Sequence, residues 1–446
     1  MKEPASQRVA ELASHPNHEP TPETQMKKSA LTLAMTAAFG ATPVFAQTVD
    51  QKIQVLQQEI DDLKTQTQKP ATQNQSSFPR QSSPEYASAL DRAETLTDGA
   101  TSFVGYGEAA YSKLRQSGNA TADLTRFVFG IYHRFNDRLT FQSEVEWEHA
   151  VVSNEDQGES EIEQAWLNYK FSDQVNVKAG LFLIPLGITN ETHEPPTYYG
   201  VFRNDVETRI IPTTWRELGF GVHGLVNGSL RYDVGLTTGF DTGKLDDPSF
   251  GIQSAHQEGQ LANAHDLSVY GALNYRRPGL LVGGGVFSGD TGQNGATNPA
   301  LQGVPARFTM WELHSQYRVE RLELQALYAY GTLGNSDQLN AAVGATAATP
   351  FAVPKTMKGG YLQAAYHAYK NGDLDVAPFV RIERYDIQQQ EDAALGLFQD
   401  PNNREHVKTA GINFKIHPQV VLKTDMQWYT TDKSKNRFNL GIGYMF

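Results

Sequence analysis

The sequence predicts an all-β chain closed into a transmembrane antiparallel β-barrel of about sixteen strands, preceded by a short periplasmic coiled-coil helix. Three observations carry this reading. Segments of about ten residues with period-two alternation recur from Thr101 to Phe446. The connections between them alternate between tight turns and long polar stretches. The composition is polar on average, with 39% hydrophobic residues and mean hydropathy −0.47, yet it holds 19 Tyr, 22 Phe and 38 Gly. A barrel with one lipid face and one wet face averages to soluble-looking hydropathy while every second strand residue stays apolar. Cysteine is absent, which excludes a disulfide scaffold and thiolate zinc sites. The 38 basic and 50 acidic side chains give a net charge of −12 and argue against nucleic acid as a partner.

In chain order, residues 1–25 read as an upstream extension without apolar periodicity. Residues 26–46 read as an export signal. Lys27-Lys28 is its positive start, Ala30 to Phe39 its apolar stretch and Val44-Phe45-Ala46 its small-residue end. Gly40 and Pro43 break the run before it could span a bilayer as a helix. Translation is therefore expected to start at Met26. Over residues 47–64, Val49, Ile53, Leu56, Ile60 and Leu63 form a seam with Ile at a and Leu at d. About two heptads is too little for independent stability, so the helix needs chains already brought together. Residues 65–100 are a Gln, Ser, Thr and Pro linker.

The barrel occupies residues 101–446. In Leu139 to Glu148 the alternation places Glu144, Glu146 and Glu148 on one face. At the end, Phe438, Leu440, Ile442 and Tyr444 share one face while Arg437, Asn439, Gly441 and Gly443 share the other. Tight turns are expected at Asn136-Asp137, Ser172-Asp173, Asn227-Gly228, Arg277-Pro278-Gly279, Val319-Glu320, Asn371-Gly372-Asp373 and His417-Pro418. Long loops lie near 115–121, 150–159, 185–216, 241–264, 289–306, 334–357, 389–403 and 431–436. Short turns on one side and long loops on the other are the arrangement of bacterial outer-membrane barrels. Because lipid tolerates no open sheet edge, the first strand near Phe103 must pair with the last near Leu440. Sixteen strands also leave an aqueous lumen.

Val177-Lys178-Ala179-Gly180-Leu181-Phe182-Leu183-Ile184-Pro185-Leu186-Gly187 resembles the fifth-strand segment of the phosphate-selective porin O and P family, in which a strand ends in a Pro-(Phe or Leu)-Gly break. Arg126 to Gly130, running on to Phe135-Asn136-Asp137, and Trp215 to Gly221 fit the same family. The resemblance implies a trimeric sixteen-stranded channel of the Gram-negative outer membrane. In phosphate-specific members it also implies a ladder of arginines and a lysine pair that lead anions through the constriction. No basic ladder can be assembled from spacing here.

The loop after Ile184 is expected to fold into the lumen, with Pro185 and Gly187 turning it. Its charges, Glu191, His193, Glu194, Arg203, Asp205, Glu207, Arg209 and Arg216, are the expected constriction, with an Asp205–Arg209 pair among them. Alternation assigns Arg126, Arg134, Glu144, Glu146, Glu148, Lys178, Arg231, Asp233, Arg276, Glu312, Arg318, Arg381, Glu383, Lys423 and Asp425 to the lumen wall. Carboxylate rings favour cations and guanidinium rings anions. Both are present, so passage of anions such as phosphate leads and a general or cation-preferring pore stands beside it. A barrel enzyme lacks a Gly-x-Ser-x-Gly elbow and a His-Glu-x-x-His pair. An envelope anchor touching the cell wall through residues 47–64 is the third reading. No cofactor or metal is expected; the partners are outer-membrane lipid, small hydrophilic solutes and two further copies of the chain.

Overall fold

A computed structural model describes residues 96–245, 248–345, 353–390, 392–398 and 401–446. The signal, the coiled coil and the linker up to residue 95 lie outside the described residues. From Thr101 onward the alternating segments form β1 (Thr101–Leu114), β2 (Ala120–Arg134), β3 (Leu139–Glu148), β4 (Ser160–Lys170), β5 (Asn176–Leu183), β6 (Arg216–Val226), β7 (Leu230–Thr237) and β8 (Ser268–Arg277). They continue as β9 (Leu280–Asp290), β10 (Arg307–Val319), β11 (Leu322–Leu333), β12 (Thr356–Tyr366), β13 (Tyr369–Asn371), β14 (Leu374–Gln390), β15 (Arg404–His417), β16 (Val420–Tyr429) and β17 (Arg437–Met445). Both β12 and β13 pair with β14, so they are two pieces of one stave and the barrel has sixteen.

Every neighbour is antiparallel, and β1 pairs with β17 to close the sheet. The register sets Tyr111 opposite Leu440, and Gly105 and Phe446 exchange backbone hydrogen bonds of 3.1 and 2.8 Å. All seven expected turns join hairpins. The Asn227-Gly228 turn has φ of 52° and 67°, the doubly positive geometry whose twist matches that of paired strands.

The outward face is apolar and exposed: Leu218 and Phe220 on β6, Val234 and Leu236 on β7, and Phe438, Leu440 and Ile442 on β17. The inward face is not uniformly polar: charged and amide side chains line most of it, but one side is apolar. Phe287, Phe308, Met310, Leu327, Ala329 and Met357 point inward from β9 to β12 and join one apolar cluster with Leu186, Ile210 and Trp215 of the third long loop. Ile252, Leu301 and Leu339 of the next three loops complete it. These loops fold into the mouth because their apolar side chains have a wall of the same kind to bury against.

Candidate functional site

The third loop, residues 184–215, leaves β5 and returns to β6. Its neck is tied by a single carboxamide: Asn190 Nδ2 donates to the carbonyls of Ile184 and Trp215 at 2.7 and 3.0 Å, and its Oδ1 accepts from Trp215 N at 2.8 Å. Gly187, at φ 81°, makes the inward turn; a Cβ there would stand 2.6 Å from Glu207 Oε1. That oxygen accepts from Ile188 N at 2.5 Å and Thr189 N at 3.0 Å, while Oε2 takes Asn204 Nδ2 at 2.7 Å and Tyr361 OH at 3.1 Å. Glu207 therefore ties the loop to itself and to β12.

From this neck the loop runs along the inner wall. Arg126 on β2 donates to His193 O at 2.5 Å and pairs with Glu108 on β1 at 2.8 Å. Tyr198 OH reaches the other Glu108 oxygen at 2.5 Å, and Lys423 Nζ donates to Tyr198 O at 3.0 Å. Asp425 accepts from Val201 N at 2.6 Å, and Glu383, paired with Arg381 at 2.6 Å, accepts from Asp205 N at 2.7 Å. The loop thus spends its buried backbone N–H and C=O groups on charged wall residues of β2, β14 and β16, and the Tyr198 hydroxyl on Glu108 of β1. Its last part, including the short helix α1 (Val206–Arg209), turns Val206, Ile210 and Ile211 into the apolar cluster.

His193 is fully enclosed. Its Nδ1 lies 2.8 Å from Asn190 O, and Nε2 is 2.9 Å from Glu163 Oε1 and 2.6 Å from Tyr106 OH. Burial disfavours the imidazolium, but the charge of Glu163 and its hydrogen bond outweigh that, so His193 holds its proton above the ordinary histidine range. Glu144, Glu163 and His193 bring ligand-type atoms within 4.8 Å of one another. Glu144 already accepts from Tyr132 OH at 2.6 Å and Gln164 Nε2 at 2.9 Å, so the group reads as an anchor of the loop.

The remaining expected residues fall into two sets. Around the loop, Glu191 meets Arg231 at 3.3 Å, Lys178 meets Asp233 at 2.7 Å, and Arg216 pairs with Glu161 and, at 3.0 Å, with Glu258. Glu146 is 3.9 Å from Arg126, Glu148 lies one step further along the same face, and Glu194 is buried before the Pro195-Pro196 turn. Arg134 and Arg318 stand instead beside tight turns at the far end of the barrel, paired with Asp98 and Glu323. Asp205 and Arg209 are 3.9 Å apart, as the spacing suggested.

Three guanidiniums near the loop differ from Arg126, Arg216 and Arg381. Arg203 is half-buried and donates to Thr214 Oγ1 at 3.2 Å; Arg209 is 36% exposed; Arg437 donates to Gln427 at 2.6 Å and lies 4.5 Å over the Phe202 ring. Among the described residues none of the three has a carboxylate within 3.5 Å. Sequence reasoning left out Glu108, Glu161, Glu163 and Tyr198. Alternation through Phe103–Ala109 would have found Glu108. A β-bulge hides Glu163: Glu144 pairs with Gln164 but Val145 with Ile162, so Glu161, Glu163 and Gln164 all face inward against simple parity.

No family model matches the chain. A protein of Aquifex aeolicus (strain VF5), described only as uncharacterized, is 29% identical over 357 residues, covering 77% of this chain and 79% of its own. Among solved structures, OmpF of Salmonella typhi in complex with daunomycin aligns with TM-score 0.50 and 14% identity over 78% of this chain and 98% of that one. The outer membrane channel DcaP of Acinetobacter baumannii gives 0.50 and 12% over 78% and 98%, and an anion-selective porin of Comamonas acidovorans 0.50 and 11% over 78% and 100%. The fold is that of a Gram-negative outer-membrane porin barrel.

Proposed function

We propose that the chain forms a passive diffusion channel for small hydrophilic solutes, with a modest preference for anions and no dedicated phosphate ladder. The observation that carries this reading is the contrast among the inward cations. Arg126, Lys178, Arg216 and Arg381 each have a carboxylate within 3.0 Å, which cancels their attraction for a passing anion. Among the described residues Arg203 and Arg437 have no ion pair and Arg209 only the longer one to Asp205 at 3.9 Å, so these three keep more of theirs, and they stand on the side of the lumen formed by the third loop, β14 and β17. His193 and Glu163, the group nearest to an acid–base pair, hold the loop, which favours a channel over a barrel enzyme. In the same reading residues 26–46 are the export signal, and residues 47–64 form a coiled coil beneath a trimer.

Reversal potentials in a planar bilayer under a potassium chloride gradient test the reading. The wild-type pore is expected to favour chloride, and replacing Arg203, Arg209 and Arg437 together by Ala should remove most of that preference. Millimolar phosphate should leave the chloride current unchanged. A cation-preferring wild-type pore would sink the anion reading, and strong block by phosphate would restore a phosphate-specific one.

A further inference from the structure

The outward faces of most strands carry no charge between their ends: β5 presents Val177, Ala179 and Leu181, β6 Leu218, Phe220 and Val222, and β7 Tyr232, Val234 and Leu236. One sector breaks this rule. On β12, β14 and β15 the outward positions nearest the long loops are Lys358, Arg384, Arg404, His406 and Lys408, accompanied by a single carboxylate, Asp386, 3.5 Å from Arg404. Lys358 is half-buried, while Arg384, Arg404, His406 and Lys408 are exposed. Among the described residues, Lys358, Arg384, His406 and Lys408 have no side-chain hydrogen bond or ion pair.

The register fixes their neighbours. Trp311 pairs with Tyr330, Tyr330 with Lys358, Lys358 with Asp386 and Asp386 with Arg404. One row below, Tyr328, Gly360, Arg384 and His406 stand side by side, and in the next row Ile382, Lys408 and Trp428 do. The cations thus stand beside aromatic side chains, Tyr330 next to Lys358 and Trp428 next to Lys408, at the strand ends on the long-loop side, where barrels place the girdle at which headgroups meet hydrocarbon. A charge on the lipid face is tolerated at that level when an anion answers it. Lys358, Arg384, Asp386, Arg404 and Tyr328 line a cleft of about 520 Å³ there. Directly below, a largely apolar groove of about 710 Å³ runs between Leu313, Ala326, Tyr328, Leu362 and Ile382, with Arg384 and Lys408 at its upper edge. Gly360 and Ala326 make its floor by lacking bulk.

We infer that this sector is a binding site for a phosphorylated lipid of the outer leaflet, its phosphates held by Lys358, Arg384, Arg404 and Lys408 and one acyl chain laid in the groove beneath. Phosphate oxygens match the geometry of guanidinium and ammonium donors, and the groove supplies what a free anion would not use. The site lies on the exterior wall, so it is independent of which solute the lumen passes.

The test is a titration of the detergent-purified full chain with diphosphoryl lipid A, read by native mass spectrometry. Wild type is expected to saturate at one tightly held lipid per barrel. The Lys358→Gln, Arg384→Gln, Lys408→Gln triple variant should need on the order of tenfold to a hundredfold more lipid. Lys408→Gln alone should show a smaller loss, and Lys358→Arg with Lys408→Arg should bind as wild type does. Conversion of the compact unboiled band to a slower one on boiling monitors folding in each variant. Inorganic phosphate at the same concentration should not displace the lipid; displacement would make this a simple anion site and overturn the proposal. Unchanged lipid binding in the triple variant would overturn it as well. So would a changed subunit number with lipid binding intact, which would assign the face to contact between copies.

Discussion

The two sides of the lumen hold the same loop by opposite means. Along β1–β4 and β14–β17 the third loop is fastened through its backbone to Arg126, Lys423, Asp425 and Glu383. Along β9–β12 it is fastened by Leu186, Ile210 and Trp215 packed against Phe287, Met357 and their neighbours. Polar fastening is directional: it sets where each residue of the loop lies and costs heavily when one partner is lost. Apolar fastening is non-directional and supplies most of the free energy. A loop that must be both strongly held and sharply positioned uses each where the wall permits it.

The largest expected effect lies on the apolar side. Trp215 is buried against Phe287 and Phe240, with ring centroids 4.5 and 5.4 Å away. Trp215→Ala should cost about 3–5 kcal/mol through lost contact and a residual cavity. It should lower the temperature at which the folded band disappears from a denaturing gel, and make the loop a substrate for added protease. If the loop stays resistant, the polar fastening alone is sufficient and the contrast fails.

A smaller effect is expected on the polar side, and it depends on pH. Because the folded-state proton affinity of His193 is raised, its contribution is fully present below the unfolded value of about 6.5 and is lost as pH climbs through the raised folded value. Single-channel recordings should therefore be quiet in acid and gain closures toward alkaline pH. His193→Ala and Glu163→Gln should each flatten that dependence. A wild-type channel equally quiet at both extremes would remove His193 from the fastening. The smallest effect belongs to Arg134, whose pair with the 59% exposed Asp98 lies by a turn, away from the loop. Arg134→Ala should change stability by roughly 0–1 kcal/mol and leave conductance unaltered. A larger change would extend the polar network to the turn end.

Much of the barrel was legible because lipid on one side forces apolar residues into every second position. That constraint acts locally and shows within ten residues, as in Phe438–Tyr444. The turns were legible for a similar reason, since Asn227-Gly228 and Pro278-Gly279 each break a run at the point of reversal. The apolar lining of one side of the lumen was not legible. Phe287, Phe308, Met310 and Leu327 face inward, but a strand that is apolar on both faces has no alternation to read. The partners of the loop were hidden by distance, since His193 meets Tyr106 87 residues away and Tyr198 meets Lys423 225 residues away. Charge type alone also hid role: Glu207 and Arg209 stand two residues apart, yet one is consumed by four hydrogen bonds inside the structure and the other is left facing the passage.

The seam between β1 and β17 bears on how the molecule is made. The free edge of the first strand finds its partner only in residues 437–446, where Gly105 meets Phe446 itself. A chain without β17 cannot close the sheet, so closure waits on the most remote pairing in the barrel. Contacts this remote in sequence form slowly, and the open edges exposed meanwhile are aggregation-prone. A chain shortened by even its final strand would present an unpaired edge that lipid cannot satisfy, so truncation from this end acts on assembly before it acts on transport.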